Sequence, residues 1–259
     1  MSDAKAPVLF IGHGSPMNIV DHNEYTKSLQ RLGKALPVPD AILVISAHWL
    51  THGTFVCTAE RPEQIYDFYG FPDELYTVKY HPPGARVLAE SIAEELKSDG
   101  VLPDAEWGID HASWAVLVHM FPKADVPTFE MSLDITKKEE NHYALAKKLS
   151  YLRKQNVLIM GSGNIVHNLR QIDFDEHAKP FPWATEFDTL VRDAIRQKDH
   201  DRLIRYKDMS PASPLAVPTN DHYLPLLYSL SLQEEHDTIE FTHEGIQNGS
   251  ISMRCFIMH

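Results

Sequence analysis

The sequence has few basic residues, few cysteines and no long apolar run. Lys and Arg together number 24 against 36 Asp and Glu, which gives a formal net charge of −12. Without a Lys/Arg cluster the chain lacks the basic face of a nucleic-acid-binding protein. No apolar run approaches the roughly 20 residues that span a membrane, and no N-terminal stretch resembles a signal peptide. We therefore expect neither nucleic acid nor a membrane among its partners.

The scarcity of cysteine limits covalent cross-linking. Cys57 and Cys255 allow at most one disulfide, and both lie in strand-like stretches where a buried free thiol is expected. A reducing, cytoplasmic location is therefore predicted. The chain is 43% hydrophobic and 23% charged, which is ordinary for a globular protein.

Short runs rich in Val, Ile and Leu alternate with helical segments. Runs at 8–11, 41–47, 126–131 and 157–160 are typical of strands buried on both faces of a parallel sheet. Further strands are predicted at 54–58, 238–242 and 250–257, and helices at 24–36, 84–97, from about 113, at 136–153, 184–197 and 223–230. Thr136 and Glu139 are expected to form a capping box for the 136–153 helix, and Gly161-Ser162-Gly163 is expected to form a turn after the 157–160 strand. Residues 60–83 form an aromatic loop without periodicity, and no repeat or linker divides the chain. The sequence predicts a single α/β domain over residues 1–259, with a central, mostly parallel (mixed) sheet and helices on both faces.

Four histidines follow predicted strands or precede a predicted helix: His13, His48, His167 and His222. In parallel sheets ligands bind outside the carboxyl ends of the strands. The spacings of 35, 119 and 55 residues fit no zinc finger or His-Glu-x-x-His motif. The prediction of a metal site therefore depends on the convergence of these histidines at one edge of the sheet. Neutral imidazoles there would suit Fe(II), Zn(II) or Mn(II).

A fifth histidine, His111, lies in Trp-Gly-Ile-Asp-His-Ala-Ser-Trp at 107–114. It is either a histidine at a helix start, packed between Trp107 and Trp114, or an acid–base group in an aromatic pocket. Asp110 is expected to cap the helix that follows.

Five motifs occur in one order along the chain: Gly-His-Gly-Ser-Pro-Met-Asn at 12–18, Ser-Ala-His-Trp at 46–49, the 107–114 segment, Gly-Ser-Gly-Asn-Ile-Val-His-Asn-Leu-Arg at 161–170, and His-Tyr-Leu-Pro-Leu-Leu-Tyr at 222–228. Together they resemble the class III extradiol ring-cleavage dioxygenases, in particular the 4,5-DOPA dioxygenase branch of plants and bacteria. The resemblance extends from about residue 8 to 253. It implies an α/β domain, in agreement with the periodicity.

The resemblance also implies a set of site residues. His13, His48 and His222 stand where the branch has its metal ligands, for one non-haem ion that is functionally Fe(II) although Zn(II) is often bound. His167 stands where the family has a base or possible fourth ligand, and His111 where it has a second catalytic histidine outside the coordination sphere.

One residue departs from the family pattern. Asp221 precedes His222, where a glutamate is expected, so the ligand shell has three histidines and the native metal is left open. Asp221 as a carboxylate ligand is the alternative.

The expected reaction is oxygen-dependent cleavage of a DOPA-like catechol to a muconic semialdehyde, with the catechol and O₂ as small-molecule partners. Arg170 could pair with a substrate carboxylate, or equally form a surface salt bridge. Two alternatives to this function are a zinc-dependent hydrolase on the same scaffold and a non-enzymatic metal-binding relative. The sequence does not indicate the oligomeric state.

Overall fold

A mixed eight-stranded sheet runs through the computed structural model, which describes residues 5–259. Its strands are β1 (Val8–Gly12), β2 (Ala41–Thr51), β3 (Thr54–Cys57), β4 (Val101–Asp104), β5 (Thr128–Asp134), β6 (Val157–Gly163), β7 (Ile239–His243) and β10 (Cys255–Met258), in the order β4-β3-β5-β2-β6-β1-β10-β7. The central pairs β5–β2, β2–β6 and β6–β1 are parallel, whereas β10 and β7 join antiparallel at one edge. Strands β8 (Ile246–Gln247) and β9 (Ile251–Ser252) form a separate two-stranded ribbon.

Helices cover the sheet, and 3-10 turns connect several of them. The helices are α1 (Glu24–Ala35), α2 (Asp73–Thr77), α3 (Arg86–Glu95), α4 (His111–Met120), α5 (Glu139–Lys147), α6 (Pro182–Arg196), α7 (His200–Ile204), α8 (Ser213–Ala216) and α9 (Leu224–Ser231). The 3-10 turns span Pro16–Ile19, Lys97–Asp99, Ser150–Gln155, Leu169–Gln171 and Tyr206–Asp208.

The central strands are apolar throughout because both of their faces are covered. In β1, Phe10 belongs to the core beneath α3, α5, α6 and α9, whereas Leu9 and Ile11 belong to a second core beneath α1 and α4. Such two-sided burial is typical of parallel strands in α/β proteins. The predicted fold class is confirmed.

Three local predictions were wrong. The helix predicted at 136–153 is α5 followed by a 3-10 turn. Its expected capping box is absent because α5 begins only at Glu139, with Lys138 at the N-cap position, while Thr136 donates from its amide and hydroxyl to Asp134 Oδ1. The strand predicted at 250–257 is broken between β9 and β10, where Arg254 turns inward and pairs with Asp188. Residues 161–163 do not form a turn, because they continue β6 alongside β1.

Candidate active site

The central strands bring the predicted histidines to one edge of the sheet. His13 directly follows β1, whose parallel neighbour β6 ends at Gly163. His48 lies within β2 rather than after it, in the stretch where the pairing with β5 is irregular. His222 precedes α9, and its carbonyl accepts hydrogen bonds from the end of β6 through Asn164 N at 2.9 Å. These are the carboxyl ends of parallel strands, where ligands bind in α/β proteins.

Three imidazoles converge closely enough to hold one ion. His13, His48 and His222 each offer a nitrogen, and these atoms lie within 4.8 Å of one another. The Nε2 atoms of His13 and His48 are 3.3 Å apart, close to the separation expected for two nitrogens with metal bonds of about 2.0–2.1 Å. His222 Nε2 is buried and has no hydrogen-bond partner among the described residues. A buried, unpaired acceptor facing two other imidazoles fits a metal ion.

The ring of His13 is oriented through its other nitrogen. Its Nδ1 lies 3.1 Å from Ser162 Oγ, and the Ser162 hydroxyl donates to the carbonyl of Ala112 at 2.6 Å. Since that hydroxyl hydrogen is already used, His13 must donate from Nδ1. Its Nε2 is then left with a free lone pair, the form that binds a metal.

Carboxylates perform the same role for the other two rings. His48 Nδ1 lies 2.9 Å from Asp67 Oδ2, and His222 Nδ1 donates to Asp221. Hydrogen bonds from these rings hold the pKa of Asp67 and of Asp221 well below their usual range, although burial acts in the opposite direction. In this arrangement Asp221 orients His222, which is the contact expected of an outer carboxylate rather than of a ligand.

His111 lies beside the three imidazoles at the start of α4. Its ring centroid is 4.2 Å from that of His48 and 5.4 Å from that of Phe68, and its Nδ1 is 2.8 Å from Asp67 Oδ2. Burial and the neighbouring His48 lower the pKa of His111 to about 4, so the ring is neutral at pH 7. Asp110 Oδ1 accepts from Ala112 N at 2.9 Å, so the predicted cap of α4 is confirmed.

The two tryptophans that flank His111 in sequence pack elsewhere. Trp107 stacks on Trp49 with centroids 5.0 Å apart, and Trp114 packs against Tyr66 at 5.3 Å.

His167 lies flat against one of the three imidazoles. Its ring stacks on His222 with centroids 3.5 Å apart and planes 8° from parallel. A ring nitrogen of His167 lies within 4.8 Å of ligand atoms of Asp221 and His222. It is not part of the cluster of nitrogens that His13, His48 and His222 form. Burial and the neighbouring His222 hold the pKa of His167 well below its usual range. The structure thus places a neutral imidazole beside the three converging nitrogens.

The remaining predicted site residue, Arg170, is exposed in a 3-10 turn. A cleft of about 540 Å³ lies between the segment that follows His13 and the aromatic loop, lined by Ser15, Met17, Asn18, Asp21, Tyr69, Gly70, Phe71, Ile172, Phe174, Glu176, Gln247 and Asn248. Arg170 is not part of this lining, and it forms no salt bridge among the described residues.

Sequence reasoning missed Asp67, Ser162 and Glu130. Asp67 is the only charged residue between Glu63 and Asp73, and a single carboxylate within an aromatic run was the available signal. Glu130 is a buried strand residue whose carboxylate accepts from Trp107 Nε1 at 2.8 Å and from Asp110 N at 2.9 Å. It thereby holds the start of α4, which carries His111.

Comparison with known proteins identifies the family. A family model described as the catalytic LigB subunit of aromatic ring-opening dioxygenase matches residues 7–253. The chain belongs to this family. A relative from Escherichia coli K12, named 4,5-DOPA dioxygenase extradiol, is 43% identical over 98% of this chain and 94% of its own length. A relative of the same name from Beta vulgaris is 34% identical over 94% of this chain and 92% of its own length.

A solved structure supports the same assignment. The crystal structure of an uncharacterized Escherichia coli K12 protein superposes with a TM-score of 0.84 at 39% identity, covering 98% of this chain and 99% of that one. Enzymes of this dioxygenase family depend on a non-haem metal, and the groups of histidines and carboxylates described above suit one. The prediction of an extradiol ring-cleavage dioxygenase is confirmed, and the hydrolase and non-enzymatic alternatives are set aside. No helix among residues 5–259 is both long and apolar enough to cross a membrane.

Proposed function

We propose that the protein opens the ring of a DOPA-like catechol beside its two hydroxyl groups, using O₂ and an Fe(II) ion bound by His13, His48 and His222. The observation that carries the proposal is the convergence of three imidazoles, with Nε2 atoms of His13 and His48 3.3 Å apart, next to two further neutral histidines. The substrate class follows the name of the relatives from Escherichia coli and Beta vulgaris.

Iron rather than zinc is proposed because zinc has no redox chemistry and could not mediate a reaction with O₂. When bound, the ion supplies a coordination site for both catechol oxygens and a route for electrons from the substrate to O₂. Both oxygen atoms enter the product, and the ring carbon–carbon bond beside the hydroxyl groups breaks. The reaction therefore needs no further reductant.

The protein's own groups manage the protons. His167 is neutral, so it takes the proton of one catechol hydroxyl and returns it when the ring opens. His111 is the second neutral acceptor, with its Nδ1 held by Asp67 and its Nε2 available to the substrate. The cleft between Ser15 and the aromatic loop is the proposed path by which the catechol enters.

The test is anaerobic reconstitution of the metal-free protein with Fe(II), followed by L-DOPA or protocatechuate in oxygenated buffer. O₂ uptake coupled to a yellow semialdehyde band is expected with Fe(II) and not with Zn(II). A panel of catechols that gives no O₂ uptake, with iron shown to be bound, would contradict the proposal.

His167→Ala tests the assigned base. The variant should lose turnover by about 100-fold or more, because general-base catalysis contributes 10²- to 10⁴-fold, while still binding iron and catechol. His236→Ala, which changes an exposed histidine, is the control and should retain full activity. Unchanged turnover in His167→Ala would refute the role of His167 as the base.

A further inference from the structure

We infer that Asp67 is a positioning carboxylate shared by the two halves of the site, orienting His48 as a metal ligand and His111 as a proton acceptor. The inference deepens the proposed function and rests on it. One side chain would thereby couple metal affinity to proton transfer.

The contacts of Asp67 are bifurcated. Its Oδ2 lies 2.9 Å from His48 Nδ1 and 2.8 Å from His111 Nδ1, and its Oδ1 accepts from the backbone amide of His111 at 2.9 Å. An ionised carboxylate is a pure acceptor with two lone pairs on each oxygen. Both rings must therefore donate from Nδ1. Each ring is then left with a free Nε2 lone pair on the side away from Asp67.

Asp67 acts through these histidines rather than as a ligand itself. His48, Asp67 and His111 each offer a possible ligand atom, and these three atoms lie within 4.8 Å of one another. The nitrogen–oxygen separations of 2.8 and 2.9 Å are nevertheless hydrogen-bond lengths. Two ligands on a tetrahedral ion with bonds of about 2.0–2.1 Å would be about 3.4 Å apart.

The aromatic loop holds Asp67 in place. The neighbouring Phe68 packs edge-on against His111 at 5.4 Å, and the hydroxyl of Tyr66 donates to the carbonyl of Val78 at 2.7 Å. The carbonyl of Ile65 accepts from Trp114 Nε1 at 2.8 Å, which ties the loop to α4. The Asp67 side chain is only 19% exposed. The contacts of the residues on either side therefore fix the backbone at Asp67, and the two histidines hold its side chain.

Asp67→Asn is a sharp perturbation because asparagine has one acceptor oxygen. If the amide nitrogen takes the place of Oδ2, it opposes the N–H groups of two imidazoles. If it takes the place of Oδ1, it opposes the backbone N–H of His111. Either way at least one donor faces another donor, with little change in volume.

Two variants separate the two roles. Asp221→Asn is the matched control, because Asp221 orients a single metal-binding ring, that of His222. His111→Gln removes the proton acceptor and leaves the contact between Asp67 and His48. Asp221→Asn should therefore affect metal affinity more than turnover, His111→Gln should affect turnover alone, and Asp67→Asn should lower both strongly.

The experiment measures two quantities on each folded variant: Zn(II) affinity of the metal-free protein by chelator competition, and kcat with L-DOPA at saturating Fe(II). Asp67→Asn should bind Zn(II) about 10- to 100-fold more weakly and lose about 100-fold or more in kcat. Asp221→Asn should bind Zn(II) more weakly, and its loss in kcat should be smaller than that of Asp67→Asn because His111 keeps its hydrogen bond to Asp67. His111→Gln should lose kcat with metal affinity unchanged.

The double variant Asp67→Asn/His111→Gln tests the coupling directly. Its kcat should equal that of His111→Gln alone, because Asp67 acts on proton transfer only through that ring. Additive losses in kcat would overturn the inference, as would parental metal affinity in Asp67→Asn. Failure of the unaltered protein to cleave any catechol would instead refute the proposed function and the His111 half, while the zinc measurement would still decide the His48 half.

Discussion

Replacing Gly163 with alanine should push His222 out of the metal site. Gly163 ends β6, where the segment before α9 crosses it closely. A Cβ at this position would lie 2.2 Å from the carbonyl oxygen of His222 and 3.2 Å from Pro225 Cγ. The backbone of Gly163 is not left-handed, so the obstacle to a side chain is this contact alone.

The size of the effect follows from that distance. An ordinary contact begins at about 3.4 Å, so His222 must retreat by about 1.2 Å from the 2.2 Å position. Metal–ligand distances tolerate shifts of about 0.2 Å, and a misplacement of about 1 Å in a reactive site costs about 100-fold. We therefore expect Zn(II) affinity to fall by about 100-fold or more.

Gly33→Ala is the matched control. A Cβ on Gly33 would lie 2.1 Å from the carbonyl oxygen of Met120, where α1 packs against the far end of α4. The overlap at Gly33 is the larger one, because Met120 Cα and C would lie at 2.6 and 2.7 Å as well, and overpacking of this kind costs about 1–3 kcal/mol of folding free energy. Only Gly163→Ala should lose metal affinity.

Chemical denaturation with and without Zn(II) provides the assay. At free zinc of about 100 times Kd, the parent and Gly33→Ala should each gain about 2.7 kcal/mol in unfolding free energy. At the same free zinc, a 100-fold weaker Kd leaves Gly163→Ala a gain of only about 0.4 kcal/mol. An undiminished gain in Gly163→Ala would refute the reasoning that His222 is a ligand held by this backbone contact.

Two further predictions concern stability. Burial raises the pKa of the Glu130 carboxyl to about 7, so the folded protein binds a proton that the unfolded chain releases. The stabilisation that comes from binding this proton is fully present below about pH 4.5 and is lost as the pH rises to about 7. The free energy of unfolding, measured by urea titration, should therefore fall less between pH 5 and pH 8 in Glu130→Gln than in the parent. An equal fall in both proteins would contradict this. Arg153→Met should cost about 3–5 kcal/mol in urea unfolding because it leaves Asp237 buried without its partner; zinc affinity should not change, and a loss below 1 kcal/mol would contradict it.

The histidines that follow the parallel strands could be predicted from sequence for a definite reason. A continuous apolar run such as 8–11 indicates a strand covered on both faces, and the carboxyl ends of parallel strands meet at one edge. This rule alone predicts that His13 lies at the site. His48 obeys it approximately, because β2 continues past it through an irregular stretch.

Asp67 could not be found in this way. It lies in an aperiodic loop, and its contacts with His48 and His111 join residues 19 and 44 positions away. No local periodicity encodes such contacts. The failed capping box has a similar origin, because α5 begins at Glu139 and Thr136 donates instead to Asp134, at the end of β5.

Non-haem Fe(II) enzymes commonly bind the ion with two histidines and one carboxylate, and the position of Asp67 and Asp221 accounts for the absence of a carboxylate from the ligand set proposed here. Three neutral imidazole ligands carry no negative charge, so they do not neutralise the two positive charges of a divalent ion. Asp67 and Asp221 are ionised and lie one hydrogen bond behind His48 and His222. Their two negative charges match that of the ion, and the hydrogen bonds make the rings better donors. In the proposed site the carboxylate charge is therefore retained but lies behind the ligands, and the three histidines leave as many coordination positions free as two histidines and one carboxylate would.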